Sequence, residues 1–154
     1  MQQNYEVVIA EASCFILLDK IGELNILQKV FKQVVTTDVV SGEFVKALPD
    51  WIKVEPVENN RYQELLQIEV DPGEASIIAL AFQYNNPVLI LDDYKARKLA
   101  DRLKLTYTGT LGILLKAKES GDIVSVKSIL GKIQQTNFRF SDRILQEILH
   151  QAGE

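Results

Sequence analysis

Two short apolar runs in this chain end directly in acidic residues. Val7–Ala10 is followed by Glu11, and Val88–Leu91 is followed by Asp92 and Asp93. Short aliphatic and β-branched runs of this kind are typical of strands buried on both faces of a sheet. Helix-like segments follow both runs, so we expect two parallel neighbours in an open α/β sheet. Ligands of such sheets bind beyond the carboxyl ends of the strands, where these acids would lie.

Carboxylates gathered at one sheet edge repel one another unless a cation or a shared proton holds them. A divalent-metal site is therefore the first functional hypothesis. Magnesium and manganese prefer oxygen ligands, and a pair of such ions can support phosphodiester hydrolysis without any histidine. The candidate ligands come from two strand ends, one helix and one helix start: Glu11, Glu43, Glu74 and Asp93, with Asp92 adjacent.

Each candidate acid also has an ordinary structural explanation. Glu74 in a first helical turn would favour the helix dipole, and Glu43 could occupy a solvated helix face. Asp92 and Asp93 could end a strand and cap the helix that follows. Glu11 has the weakest alternative of this kind, because it directly ends an apolar run and precedes a tight turn.

Composition limits the class of protein. The 154 residues predict one domain over 1–154, and 47% apolar with 25% charged residues is ordinary for a soluble globular protein. The net charge of −4 argues against a broad duplex-DNA-binding face, but it does not exclude a nuclease with an acidic centre. A single histidine, His150, argues against histidine-based triads and zinc sites. No long apolar run and no signal peptide is visible, which predicts a cytoplasmic protein without membrane association.

The predicted elements alternate between strands and helices and close with helices, which predicts a three-layer α/β/α sandwich around a mostly parallel sheet. Strands are predicted over 5–11, 34–36, 51–57, 88–91 and 106–108. Helices are predicted over 15–19, 24–31, 38–48, 61–69, 94–103, 110–119, 126–135 and 141–151, with the strongest helix opening at 71–74.

Several residues are predicted to cap these helices or to face the core. Ser13, Asp38, Asp71 and Ser141 are expected caps. The apolar stripe of the strongest helix predicts four core-facing residues: Ala75, Ile78, Ala79 and Phe82. The strand over 51–57 is expected at the sheet edge, because Pro56 cannot donate a ladder hydrogen bond.

Four motifs occur in order along the chain: 8–13 (VIAEAS), 71–75 (DPGEA), 91–97 (LDDYKAR) and 108–112 (TGTLG). In these motifs the chain resembles the PIN domain, in particular the prokaryotic subgroup described as predicted nucleic-acid-binding proteins. The resemblance covers nearly the whole chain. It implies an α/β/α sandwich and a magnesium- or manganese-dependent ribonuclease, often the VapC-type toxin of a toxin–antitoxin pair. It also implies a homodimer and an antitoxin protein as partners.

The resemblance assigns the family's catalytic, metal-binding acids to Glu11, Glu43, Glu74 and Asp93, with Asp92 contributing. It implies that Ser13 steadies the first acid or a metal-bound water. The family normally has Asp where this chain has Glu11, so the carboxylate moves by about one bond length, whereas such sites tolerate only about 0.5 Å. Two hypotheses follow: a metal-dependent endoribonuclease, and a catalytically weak or inactive module that binds RNA or a protein.

Lys95 and Arg97 are the basic residues nearest the Asp92–Asp93 corner. We expect them to bind the phosphates of single-stranded or structured RNA. The alternative is a solvated helix face, which is the better explanation for Arg102. A receiver-like phosphotransfer domain would also gather acids at strand ends, but the motif over 71–74 disfavours that interpretation.

Overall fold

The computed structural model describes residues 7–44 and 46–154. Its strands form one parallel sheet in the order β3-β2-β1-β4-β5. They span Val7–Ala10 (β1), Gln33–Thr37 (β2), Ile52–Glu55 (β3), Val88–Ile90 (β4) and Thr106–Thr108 (β5). The predicted parallel pairing of the two acid-terminated strands is confirmed, since β1 lies directly beside β4.

Nine helices in the described residues flank this sheet, and the predicted three-layer α/β/α architecture is confirmed. They span Ala12–Lys20 (α1), Asn25–Val30 (α2), Asp38–Glu43 (α3), Asn60–Leu66 (α4), Pro72–Ala81 (α5), Tyr94–Arg102 (α6), Thr110–Glu119 (α7), Val126–Gln134 (α8) and Asp142–Gln151 (α9). Within the described ranges, no helix has the length and apolar character needed to cross a membrane.

The central strand β1 pairs with β2 on one side and with β4 on the other. Ile9 pairs in register with Val35 of β2 on one side and with Leu89 of β4 on the other. All three side chains are fully buried, as the aliphatic runs predict. Because β1 and β4 are neighbours, Glu11 and Asp92 follow adjacent strand ends at the same edge of the sheet.

Buried hydroxyl groups tie the carboxyl ends of the strands to the helices behind them. Thr36 Oγ1 donates to the carbonyl of Ala10 at 2.8 Å, which links β2 to the end of β1. Thr37 Oγ1 and Ser76 Oγ lie 2.6 Å apart, and Ser76 Oγ donates to the Gly73 carbonyl at 2.7 Å. These bonds hold the first turn of α5 against β2, so the start of α5 faces the strand ends.

Two helix starts differ from the prediction. α1 begins at Ala12 with Glu11 in the N-cap position, so Ser13 lies inside the helix and is not its cap. The side chain of Thr37, not that of Asp38, caps α3 by accepting from the Val40 amide. In both cases an extended residue leads straight into the helix: Glu11 directly follows β1, and Thr37 is the last residue of β2. The predicted caps at Asp71 and Ser141 are confirmed.

The predicted helix over 38–48 is too long, because α3 ends at Glu43. Gly42 weakens its last turn, and Phe44 adopts extended backbone angles that bury its ring. Phe82 was wrongly predicted to face the core. It follows the last helical residue of α5, is 46% exposed and stacks on Tyr62. Part of the predicted strand over 5–11 lies outside the described residues.

Candidate metal centre

A cavity of about 470 Å³ opens at the carboxyl edge of the sheet. It is lined by Glu11, Ala12, Ser13, Glu43, Asp71, Gly73, Glu74, Asp92 and Asp93. We call it the acid cavity. None of the described residues that line it is basic. The acids arrive from the end of β1, the end of α3, the start of α5 and the corner between β4 and α6, so the fold brings together the four predicted acids.

Glu11 is a buried acid of the cavity and bridges two strand ends. Its Oε1 accepts from Ser13 Oγ at 2.7 Å and from the Asp92 amide at 3.2 Å. Burial, together with the negative charges of Asp92 and Asp71, raises the pKa of Glu11 to about 7 although the two hydrogen bonds lower it. The structure therefore shows the Ser13–Glu11 contact that the family resemblance implies.

Glu74 has a structural role and a cavity position at once. Asp71 Oδ1 accepts from the Glu74 amide at 2.8 Å, and Glu74 Oε1 accepts from the Asp71 amide at 3.2 Å, which is a capping box. Burial raises the pKa of Glu74 to about 7, with further contributions from nearby carboxylates. The predicted helix-start explanation and the cavity position are therefore both true of this residue.

Glu43 reaches the cavity from the last turn of α3. Its carboxylate lies against the first turn of α5, and a β-carbon built on Gly73 would stand 2.9 Å from Glu43 Oε2. Glycine at position 73 permits this close approach. Desolvation, followed by the negative charge of Asp71, raises the pKa of Glu43.

Asp92 and Asp93 have different tasks although they are adjacent. Asp93 Oδ2 accepts from the Ala96 amide at 3.1 Å and caps α6, as its structural alternative predicts, while the residue also lines the cavity. Asp92 accepts from the amide of Thr110 at 2.9 Å and from its hydroxyl at 2.6 Å. Asp92 thus fastens the end of β4 to the start of α7 with both carboxylate oxygens.

The two predicted phosphate-binding residues are placed differently. Arg97 Nε donates to the Leu91 carbonyl at 2.7 Å, and its guanidinium lies 3.8 Å from Asp92 and over the Tyr107 ring. Arg97 therefore braces the corner that follows β4, and its contact with a substrate stays a prediction. Lys95 is exposed on α6 and makes no hydrogen bond or ion pair with the described part of the chain.

Sequence reasoning missed Asp71 as a member of the cavity. It was recognised only as a helix cap, yet its carboxylate lines the cavity and affects the pKa of Glu11, Glu43 and Glu74. Its spacing from Glu74 was the available signal, because a capping box holds both acidic side chains at the same helix end.

The donor set of the cavity suits a hard divalent cation. Over residues 7–44 and 46–154, no three His, Cys, Asp or Glu side chains are arranged so that they could hold a metal ion as they stand. The lining nevertheless offers carboxylate oxygens, and burial together with neighbouring negative charges raises the pKa of Glu11, Glu43 and Glu74. Magnesium usually keeps several waters and takes only one or two protein carboxylates. The residues therefore fit such a partly hydrated ion.

A family model described as a PIN domain matches residues 7–154. The chain belongs to the PIN-domain family, and the predicted family is confirmed. Membership of this family indicates a nuclease-type fold and nucleic-acid binding, and PIN domains generally use divalent metals. No curated protein and no solved structure matches the chain.

Proposed function

We propose that this protein is a metal-dependent endoribonuclease of the PIN type and the toxin component of a toxin–antitoxin pair. One observation carries the proposal: acids from four separate elements line a single cavity in which no described lining residue is basic. A structural cluster of acids would be expected to carry its own cations. A lining of acids and uncharged residues, with no basic residue among those described, instead calls for a cation from solution.

In this proposal Glu11, Glu43, Glu74 and Asp93 hold one or two Mg²⁺ or Mn²⁺ ions, with Asp92 behind them. Ions bound there would activate a water and stabilise the leaving oxygen of a phosphodiester. Ser13 fixes the Glu11 carboxylate through its 2.7 Å hydrogen bond. Lys95 binds a substrate phosphate beside the Asp93 corner, and Arg97 contributes charge while it braces that corner.

The direct test is incubation of the purified protein with mixed RNAs and Mn²⁺. Asp93→Asn is the informative variant, because asparagine caps helices as well as aspartate does and α6 should still form. Glu119→Gln, at the far end of α7, is a matched control for loss of one carboxylate. Cleavage by the native protein and the control, but not by Asp93→Asn, supports the proposal. RNA cleavage by the native protein that is no greater than cleavage by Asp93→Asn would contradict the proposal.

Glu11 favours a second candidate, a PIN-like module with a weak or inactive centre that binds RNA or a protein. It stands where the family normally has Asp, and its Oε1 already accepts two hydrogen bonds. Calorimetric titration with Mn²⁺ separates the two candidates. Saturable binding by the native protein supports the nuclease. Binding that appears only after Glu11→Asp supports the inactive module.

The toxin role, an antitoxin partner, a homodimer and a cytoplasmic location rest on the family resemblance alone and stay predictions. A small neighbouring gene for a DNA-binding antitoxin would support the toxin role. Co-expression of the two proteins and purification through a tag on the antitoxin would test the complex. Light scattering of the purified chain would test the homodimer.

A further inference from the structure

Tyr94 is the most exposed aromatic side chain in the part of the chain that the structure describes. Its ring is 68% exposed, although it is the first residue of α6 and directly follows Asp93. Tyr94 is therefore next in the chain to an acid that lines the acid cavity, with their Cα atoms about 3.8 Å apart. The packing of α6 does not account for it, because Ala96, Leu99 and Ala100 form the buried face of this helix.

The surroundings of this ring are basic, unlike those of the other exposed aromatics. Lys98 Nζ lies 5.0 Å from the centroid of the Tyr94 ring, which is a cation–π contact. Lys95 is exposed next to it in the same helical turn. Tyr62 and Phe82, by contrast, stack on each other with their centroids 5.3 Å apart. Tyr94 is thus an exposed ring in contact with one ammonium group, and an exposed lysine follows it in the chain.

We propose that Tyr94, Lys95 and Lys98 form a platform that stacks an unpaired base of the substrate and holds its neighbouring phosphates. This inference rests on the proposed ribonuclease function and narrows its substrate class. Aromatic rings stack on the faces of splayed bases, whereas the bases of a duplex are covered by their own neighbours. The platform therefore selects single-stranded segments, and its chain position next to Asp93 links it to the proposed metal-binding acids.

The test measures RNA affinity by fluorescence anisotropy in Ca²⁺, which occupies oxygen sites with a looser geometry than Mg²⁺. Two labelled probes are compared: a twelve-nucleotide oligoadenylate and an abasic ribose-phosphate chain of the same length. The native protein should bind the oligoadenylate about tenfold more tightly than the abasic chain. Tyr94→Ala should remove this preference, and Tyr94→Phe should keep it. Tyr62→Ala is the matched control, because it removes an exposed tyrosine ring from another helix.

Salt dependence separates the ring from the lysines. Lys95→Gln should reduce the slope of log affinity against log salt by about 0.7, the value for one phosphate contact on a single strand. Tyr94→Ala should leave that slope unchanged. If the native protein prefers oligoadenylate and Tyr94→Ala keeps the preference, the inference is overturned, and the exposed ring would be assigned to a protein partner. If the native protein binds neither probe, the inference and the ribonuclease proposal both fail.

Discussion

Glutamate side chains in two regions of this molecule have pKa values shifted in opposite directions. The Glu154 carboxylate accepts from Ser125 Oγ, from the Val126 amide and from Lys118 Nζ, at 2.8, 2.7 and 3.2 Å. These hydrogen bonds lower its pKa to about 2. In the acid cavity, burial and neighbouring acids raise the pKa of Glu11 and Glu74 to about 7.

The comparison shows where the chain stabilises a charged carboxylate with its own donors and where it does not. At the start of α8, amides and a lysine neutralise Glu154, so the contact stabilises the fold by itself. In the acid cavity Arg97 lies 3.8 Å from Asp92, whereas Glu11, Glu43 and Glu74 form no ion pair with the described residues. Strongly shifted pKa values in a cleft are typical of functional sites, where local stability is given up for binding or catalysis.

The largest expected effect is on catalysis, and it compares removal of a carboxylate from the acid cavity with removal of the Glu154 carboxylate. Glu74→Gln should lower Mn²⁺-dependent RNA cleavage by about 100-fold, because it removes a carboxylate from the cavity. Glutamine still completes a capping box, so α5 should fold normally. Glu154→Gln should leave the rate unchanged. Single-turnover cleavage by the three proteins measures both effects, and equal losses in the two variants would erase the distinction between the regions.

The second prediction concerns stabilisation by metal. Mn²⁺ at about 100 times its dissociation constant should stabilise the native protein by about 2.7 kcal/mol, which raises Tm by about 5–10 °C. At one fixed Mn²⁺ concentration the rise should be greater at pH 8 than at pH 6, because carboxyl groups with a pKa of about 7 must lose their protons to bind the ion. Thermal scans with and without Mn²⁺ at the two pH values test this. A rise that is the same at both would contradict it.

The third prediction concerns the metal-free protein and follows from the sign of the shifts. Glu11 has an ordinary pKa of 4.5 and a folded value of about 7, so folding favours its protonated form. Stability should fall as pH rises from about 4.5 to about 7 and then level off. Glu154 contributes the opposite dependence, with stability lost only as pH falls from 4.5 towards 2.

Urea unfolding in EDTA at pH 5 to 8 checks this third prediction. Glu11→Gln should flatten the decline and make the metal-free protein more stable than the native one at pH 8. Glu154→Gln should be less stable than the native protein throughout the range but should keep the same decline. A native protein whose stability does not change between pH 5 and 7 would show that the acids of the cavity are not coupled to folding.

The smallest expected effect is at Gly73. A β-carbon there would stand 2.9 Å from Glu43 Oε2, so Gly73→Ala should push the flexible Glu43 side chain aside by a few tenths of an ångström. We expect a loss of Mn²⁺ affinity of less than tenfold, with unchanged stability in EDTA. Gly131→Ala is the matched control, since no atom lies within 4 Å of a β-carbon built there. Equal affinity in the two variants would remove Glu43 from the proposed ligands.

The sheet and the main acids could be predicted from the sequence because strong local signals fix them. An aliphatic run such as Val88–Leu91 can only be buried, and strands joined by helices pair in parallel. Glu11 and Asp93 then follow from their positions after strands. The helix starting at Pro72 was equally predictable, since the Asp71 cap and a first-turn proline mark it.

What could not be predicted depends on side-chain geometry that no periodicity encodes. Arg97 was expected to bind substrate phosphates, which stays a prediction, but the sequence did not indicate that its guanidinium lies along the corner after β4 and contacts Asp92. Asp71 was identified as a cap without its second position in the cavity. The start of α1 was misplaced because Ser13 matches the usual cap chemistry, while the extended Glu11 precedes the helix and receives the serine hydroxyl.

The central claim is that a divalent cation binds in the acid cavity and neutralises its carboxylates. Isothermal titration of the metal-free protein with Mn²⁺ at pH 8 tests it most directly, with Asp93→Asn and Glu154→Gln alongside. We expect saturable binding by the native protein and by Glu154→Gln, and binding at least tenfold weaker by Asp93→Asn. No binding by the native protein, or equal affinity in all three proteins, would contradict the claim.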